Sequence, residues 1–322
     1  MKKILAIILV IAALLIGLVS CSGDGNPKDD KFKIVCTIFP IYDWVRNIVG
    51  ENSNSVDVHL LVNGSTDLHS YQPSADDMIT ISHCDMFIYI GGESDVDWVH
   101  DVLSKIGNDS IDAINLIGVL GDRVKFDDLE HSHEEELEHS HEVGEFDEHI
   151  WLSLKNAEFL CGYLNGEIAK MDEKNAAQFQ QNSEKYIEKL AVLDTEYTVA
   201  AQQAMVKTVL FADRFPFRYL MDDYHIAYYA AFSGCSAETE ASFEMIKSLS
   251  EKVDEFGLTH ILVTESADKS IANTVKQSTK SGNQDIFVMD SMQSVNLKQI
   301  ADGVTYLLIA ESNLNVLKQV LN

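Results

Sequence analysis

The sequence predicts an α/β protein of two Rossmann-like lobes joined by one long linking helix. Three observations carry this. From Phe32 onward, apolar runs of strand length alternate with helix-like stretches. A stretch from about Asn175 to Met205 contains neither Pro nor Gly and reads as one helix. The strand–helix rhythm then restarts at Lys207. Such alternation implies mostly parallel sheets covered by helices. At 322 residues with 46% hydrophobic content, the chain can bury two cores of ordinary domain size.

Taken in order, residues 32–38 read as a strand, 42–49 as a helix and 56–61 as a strand. A helix at 75–82 follows Pro73, and a strand at 86–90 ends in Gly91-Gly92 before a helix near 96–105. Within 175–205, Phe179, Tyr186, Leu190, Leu193 and Tyr197 recur at helical spacing and mark one apolar stripe. At 1.5 Å per residue this helix runs roughly 45 Å, long enough to bridge two lobes. Strands at 207–211, 226–229, 260–264 and 286–289 then alternate with helices near 217–223, 243–256, 269–279 and 297–320. The expected division is a first lobe at 32–174, the linking helix at 175–205 and a second lobe at 206–322. Strand-end loops of both lobes would face a shared crevice, the usual ligand position in such sheets.

The amino terminus reads as an address. Met1-Lys2-Lys3 is basic, and Ile4 to Val19 carries no charge. That run is shorter than the ~20 residues of a membrane span, and a basic start followed by an apolar stretch marks a secretory signal peptide, here 1–20. Leu18-Val19-Ser20-Cys21 resembles a bacterial lipobox, in which the Cys is acylated and becomes the new amino terminus. Cys21 is therefore the expected lipidation site, with 21–31 a polar tether holding the chain to the outer face of the cytoplasmic membrane.

Charge excludes one class of partner. The formal charge is −27, from 24 Lys and Arg against 51 Asp and Glu. So acidic a surface repels nucleic-acid phosphate and attracts cations. Cys36, Cys84, Cys161 and Cys235 lie scattered in apolar contexts without CxxC spacing, so they read as core residues and fix no disulfide pairing. Histidine is the informative residue. His131, His133, His139 and His141 form two His-Ser-His pairs inside the acidic low-complexity segment 127–148. Imidazoles among carboxylates make a loop suited to weak, exchangeable metal capture. His59 and His260 lie in strand-like segments, and His83, His100 and His225 at element ends or helical faces, where structural roles are the expectation. Trp44, Trp98 and Trp151 read as core.

Two further histidines carry a resemblance. Asp67-Leu68-His69-Ser70-Tyr71-Gln72-Pro73 resembles the Asp-Pro-His-x-Tyr-x-Pro segment of the metal-binding proteins that serve bacterial zinc and manganese ABC importers. Asp147-Glu148-His149-Ile150-Trp151-Leu152 resembles the Asp-Pro-His-x-Trp-Leu segment of the same family, and a His-rich loop precedes it as in that family. The resemblance covers essentially the whole chain after the signal. It implies a metal held between the lobes, with His69 and His149 as ligands. Asp290 resembles a late family Asp that ligates in some members, and Glu265 a family Glu beside the site. One position departs: Arg214 stands where the family has a His or Glu, and Arg stays protonated and cannot ligate. Asp213, next to it, is the expected substitute, or else an N-cap of the following helix. Arg214 would then pair with Glu265 or another carboxylate of the crevice.

The expected ligand set is thus His69, His149, Asp213 and Asp290, with Glu265 and Arg214 beside it. Imidazoles and the His-rich loop favour Zn²⁺, with Mn²⁺ or iron the alternative. The implied function is capture of Zn²⁺ and its delivery to an ABC permease and its ATPase, by a monomer anchored in the membrane through Cys21. A metal-dependent adhesin is a further alternative. No His-Glu-x-x-His helix or Gly-x-Ser-x-Gly turn occurs, so no enzyme is expected.

Overall fold

The computed structural model describes residues 31–50, 53–64, 68–107, 110–126, 146–234, 236 and 240–322. The signal peptide, Cys21, Cys235 and the four loop histidines fall outside them.

The first lobe runs β1 (Phe32–Cys36), α1 (Phe39–Val49), β2 (Val56–Leu60), α2 (Ala75–Ser82), β3 (Met86–Tyr89), α3 (Val96–Ile106), β4 (Asp112–Asn115) and α4 (Leu116–Leu120). Helices α5 (Leu154–Met171) and α6 (Ala176–Gln203) follow. The second lobe runs β5 (Thr208–Phe215), α7 (Arg218–Asp223), β6 (Ala227–Ser233), α8 (Phe243–Phe256), β7 (His260–Thr264), α9 (Ser270–Ser278), β8 (Asp285–Met289), α10 (Leu297–Ala301) and α11 (Tyr306–Val320). Each lobe has a four-stranded parallel sheet, ordered β2-β1-β3-β4 and β6-β5-β7-β8. In both, the first strand lies inside the sheet, so the connections leave a crevice beyond the strand carboxyl ends. This is the two-lobe α/β fold that the rhythm predicts.

The linking helix is α6, and its predicted stripe is buried: Phe179, Tyr186, Leu190, Leu193 and Tyr197, extended by Ala200 and Ala201. Polar side chains on it tie both lobes. Tyr186 Oη donates to Asp43 Oδ2 on α1 at 3.1 Å, and Tyr197 Oη donates to the Ala310 carbonyl on α11 at 2.7 Å. One hydrophobic cluster accordingly runs from Ile34 and Trp44 through Leu190 to Tyr306 and Leu317, and Trp44 meets Tyr306 edge-on at 5.5 Å. A second cluster, around Leu210, Val253 and Val275, fills the far side of the second sheet. Trp44, Trp98 and Trp151 are all buried. So are the Cys36, Cys84 and Cys161 thiols, and burial pushes Cys84 up to about 12. Among the described residues no helix is long and apolar enough to cross a membrane.

Five elements differ from the sequence pattern. Helix α5, of 18 residues, stands where the rhythm gives none; Gly162 and Gly166 lower its intrinsic propensity, and its buried face of Leu160, Cys161, Leu164 and Ile168 packs it instead. Strand β4 and helix α4 are short and were not anticipated. The predicted terminal helix is broken into α10 and α11, because Gly303 takes φ +98° and Thr305 caps the second piece by accepting from Leu308 N at 3.2 Å. Strand β5 runs on to Phe215 through an irregularity between Phe211 and Arg214.

The corner between α5 and α6 depends on one carboxylate. Asp172 Oδ2 accepts from Asn175 Nδ2 at 2.6 Å and Oδ1 from Asn175 N at 3.3 Å. Burial opposes ionisation of Asp172, but hydrogen bonds from Asn175 and Ser55 outweigh it and hold the carboxyl below its ordinary 3.8. Since the folded value lies below the unfolded one, the unfolded chain binds the proton first, and this stabilisation is present above pH 3.8 and fades as pH falls below it. Asp172→Ala is expected to lose about 1–2 kcal/mol in urea unfolding near neutral pH. The gap to the parent chain should narrow below pH 3.8. A gap independent of pH would show that the carboxylate charge is not what holds the corner.

Candidate metal centre

His69 sits on a single turn, Leu68–Ser70, beyond the carboxyl end of β2. Leu68 and Tyr71 are buried on either side of it, with Tyr71 edge-on to Trp98 at 5.5 Å. The chain then enters α2 through a capping box between Ser74 and Asp77, which fixes its exit direction. His149 precedes the turn Ile150–Leu152, whose three side chains are buried. The two imidazoles meet, with ring centroids 5.5 Å apart and planes at 57°. His149 is fully buried, and the His69 side chain is 17% exposed.

Carboxylates brace both rings. His149 Nδ1 lies 2.9 Å from Asp147 Oδ1, which also accepts from His149 N at 2.9 Å. His69 Nδ1 lies 2.8 Å from Glu148 Oε1 and 2.7 Å from Ser94 Oγ. Ser94 gives Glu148 two donors, its backbone N to Oε2 at 3.1 Å and its hydroxyl to Oε1. Burial alone would raise the Glu148 carboxyl. The His69 hydrogen bond, the charges of His149 and His69 and the Ser94 hydroxyl together bring it down to about 2. Nearby, Asp95 accepts from Ile90 N and Gly91 N, both at 2.8 Å, yet burial raises it to about 7. The first-lobe site thus includes Glu148 and Ser94, which the sequence analysis did not assign. The one available signal was that Glu148 stands where the resembled motif has Pro.

The second lobe forms the opposite wall. Gly234, just beyond β6, lies against His149: a Cβ there would come within 2.7 Å of His149 Cε1. Beside it opens a cavity of about 280 Å³, lined by Gly64, Arg214, Glu265, Ser266, Ser291 and Ser294 among others. Glu265 accepts from Ser291 N and Ser291 Oγ, both at 2.8 Å, and from Ser294 Oγ at 2.9 Å. Asp213 and Asp290 do not line this cavity. Asp213 lies within β5 rather than at a helix start, so the N-cap alternative does not hold; its Oδ2 accepts from Thr264 N at 2.9 Å and Thr264 Oγ1 at 2.5 Å. Asp290 Oδ1 accepts from Met292 N at 2.7 Å, and Asn313 pairs with both its backbone groups at 2.8 Å. Burial and then the Glu265 charge raise Asp290 to about 6.

The structure therefore brings His69 to His149 and sets Arg214 and Glu265 in the lining of one cavity, while Asp213 and Asp290 knit strand ends. Among the described residues, no three or more His, Cys, Asp or Glu side chains are gathered at metal-holding geometry.

Comparison with known proteins places this arrangement. Residues 34–320 match the family described as zinc-uptake complex component A, periplasmic. The chain is 30% identical over 321 residues to the zinc-binding lipoprotein AdcA of Streptococcus pneumoniae, covering 99% of this chain but only 61% of that protein's length. It is 28% identical over 320 residues to the high-affinity zinc uptake system protein ZnuA of Bacillus subtilis, covering 98% of this chain and 95% of that one. The crystal structure of the Zn(II)-bound ZnuA-like domain of S. pneumoniae AdcA superposes with a TM-score of 0.70 at 28% identity, over 90% of this chain and 99% of that domain. Fold, paired imidazoles and a match over nearly all the described length converge: the chain belongs to the family of periplasmic component A proteins of zinc-uptake complexes.

Proposed function

We propose that this chain captures Zn²⁺ outside the cytoplasmic membrane and hands it to an ABC permease driven by its ATPase. The observation that carries this is the buried His69–His149 pair, each ring backed at Nδ1 by a carboxylate. That is the outer arrangement expected of imidazole metal ligands, and it directs Nε2 toward an ion. Imidazole suits zinc better than the harder Mn²⁺. The names of the relatives support the same cargo. Cys21 would carry the lipid that keeps a monomer near its permease, and His131, His133, His139 and His141 would gather exchangeable ions ahead of the tight site.

Glu265 is the carboxylate we assign to the ion from the second lobe, because it lines the cavity beside His149 and Gly234. Three hydrogen bonds already fix its position. Asp213 and Asp290 shape the wall through Thr264, Met292 and Asn313.

Isothermal titration of metal-stripped protein should find one tight Zn²⁺ site per chain that Mn²⁺ displaces poorly. His69→Ala combined with His149→Ala should weaken it by at least about a hundredfold, as loss of two of a small ligand set requires. A tight site surviving in that double variant would refute the ligand assignment.

The carboxylates can be ranked in the same assay. Glu265→Gln is expected to weaken zinc about tenfold or more, and Asp213→Asn and Asp290→Asn by no more than a few fold. The reverse ranking would move the second-lobe ligand to one of the two aspartates.

A further inference from the structure

The tripeptide Asp147-Glu148-His149 contributes more than one ring. It supplies His149, the carboxylate at His149 Nδ1 (Asp147, 2.9 Å) and the carboxylate at His69 Nδ1 (Glu148, 2.8 Å). A carboxylate only accepts hydrogen bonds, so a neutral imidazole meets it with the proton on Nδ1 and the lone pair on Nε2. Both Nε2 atoms are buried.

The seat of Glu148 is shaped by the loop after β3. Ser94 donates to both carboxylate oxygens. At Gly92 a Cβ would fall 2.4 Å from Glu148 Oε2 and 2.5 Å from its Cβ, so only glycine leaves room for the acid. Asp95, fully buried, ties this loop back onto Ile90 and Gly91. A buried glutamate this closely fitted is held for its charge and its geometry, since burying an acid without compensation is costly.

We propose that Glu148 is a positioning residue for His69. It fixes the Nδ1–H tautomer before the ion arrives, and with Asp147 it sets a carboxylate behind each ring on the side away from Nε2. The proposal deepens the zinc-capture assignment and rests on it for the cargo alone.

Glu148→Gln makes a specific test. With its amide oxygen toward Ser94 N, the new side chain turns its NH₂ toward His69 Nδ1 and Ser94 Oγ. The Ser94 hydroxyl proton, having lost its acceptor, is then free to donate to Nδ1, which favours the proton on Nε2. Nitrogen-15 NMR of the metal-free full chain near pH 8, where an ordinary imidazole is neutral, reads the tautomer of each ring. The parent should show Nδ1–H for both rings. Glu148→Gln should switch His69 alone, and Asp147→Asn should disturb His149 alone. Each variant should weaken zinc about 10–100-fold by titration. If Glu148→Gln does not fold, Glu148→Asp keeps the charge while drawing the carboxylate back from His69 Nδ1, and should loosen His69 while sparing His149.

An unchanged His69 tautomer, both rings shifting together, or zinc affinity within twofold of the parent would overturn the proposal. If the tautomers respond as stated while the parent binds no zinc, the cargo assignment fails and the positioning role stands.

Discussion

The close approach of His69 and His149 is the constraint on which the rest of the structure turns. Two rings from distant segments stand 5.5 Å apart, one of them fully buried. Left to water, such polar groups would be hydrated and disordered. Here each is held at Nδ1 by an acid, and the acids are neighbours in the chain. The arrangement costs desolvation of two carboxylates, which the His69, Ser94 and His149 donors offset. The glycines at 92 and 234 follow from it, because a methyl group at either would collide with Glu148 or with the His149 ring.

The site is stiffly coupled to both lobes. His149 opens the turn that carries Trp151, whose Nε1 donates to the Ser291 carbonyl at 2.9 Å, while Tyr306 Oη donates to the Trp151 carbonyl at 2.6 Å. Ser291 in turn donates twice to Glu265. A first-lobe imidazole and a second-lobe carboxylate are thus two side chains apart through buried hydrogen bonds. The continuous core along α6 backs this connection with apolar packing. Displacing one lobe against the other would break both together.

Much of this was legible in the sequence, for identifiable reasons. Parallel strands buried on both faces are apolar runs, and they stood out. The α6 stripe was clear because no Gly or Pro interrupts it. His69 and His149 were found through the residues around them, not by any property of a lone histidine. Helix α5 was missed because glycines dilute a pattern that tertiary packing restores. The break before α11 was missed because Gly303 and Thr305 act by conformation and capping rather than hydropathy. Glu148 was passed over because an acid beside a histidine looks like solvated charge, and only the fold reveals that it is buried against a second ring. Asp213 has ligand chemistry in sequence, but the structure sets it in β5 with Oδ2 on Thr264 and outside the cavity lining.

The placement of the acids also bears on selectivity. A chain of charge −27 draws cations of every kind, and that field is screened within about 8–10 Å at physiological salt. It can speed arrival but cannot discriminate. A pocket that met the ion with oxygens alone would equally suit Ca²⁺ and Mg²⁺, which favour carboxylate ligands. In this structure the buried negative charge stands one hydrogen bond behind nitrogen. An ion held by these imidazoles would be neutralised by acids that stand behind its ligands, and nitrogen contact would disfavour the hard cations. Charge balance and ligand softness would then be separate variables, with Asp147 and Glu148 setting the first without surrendering the second.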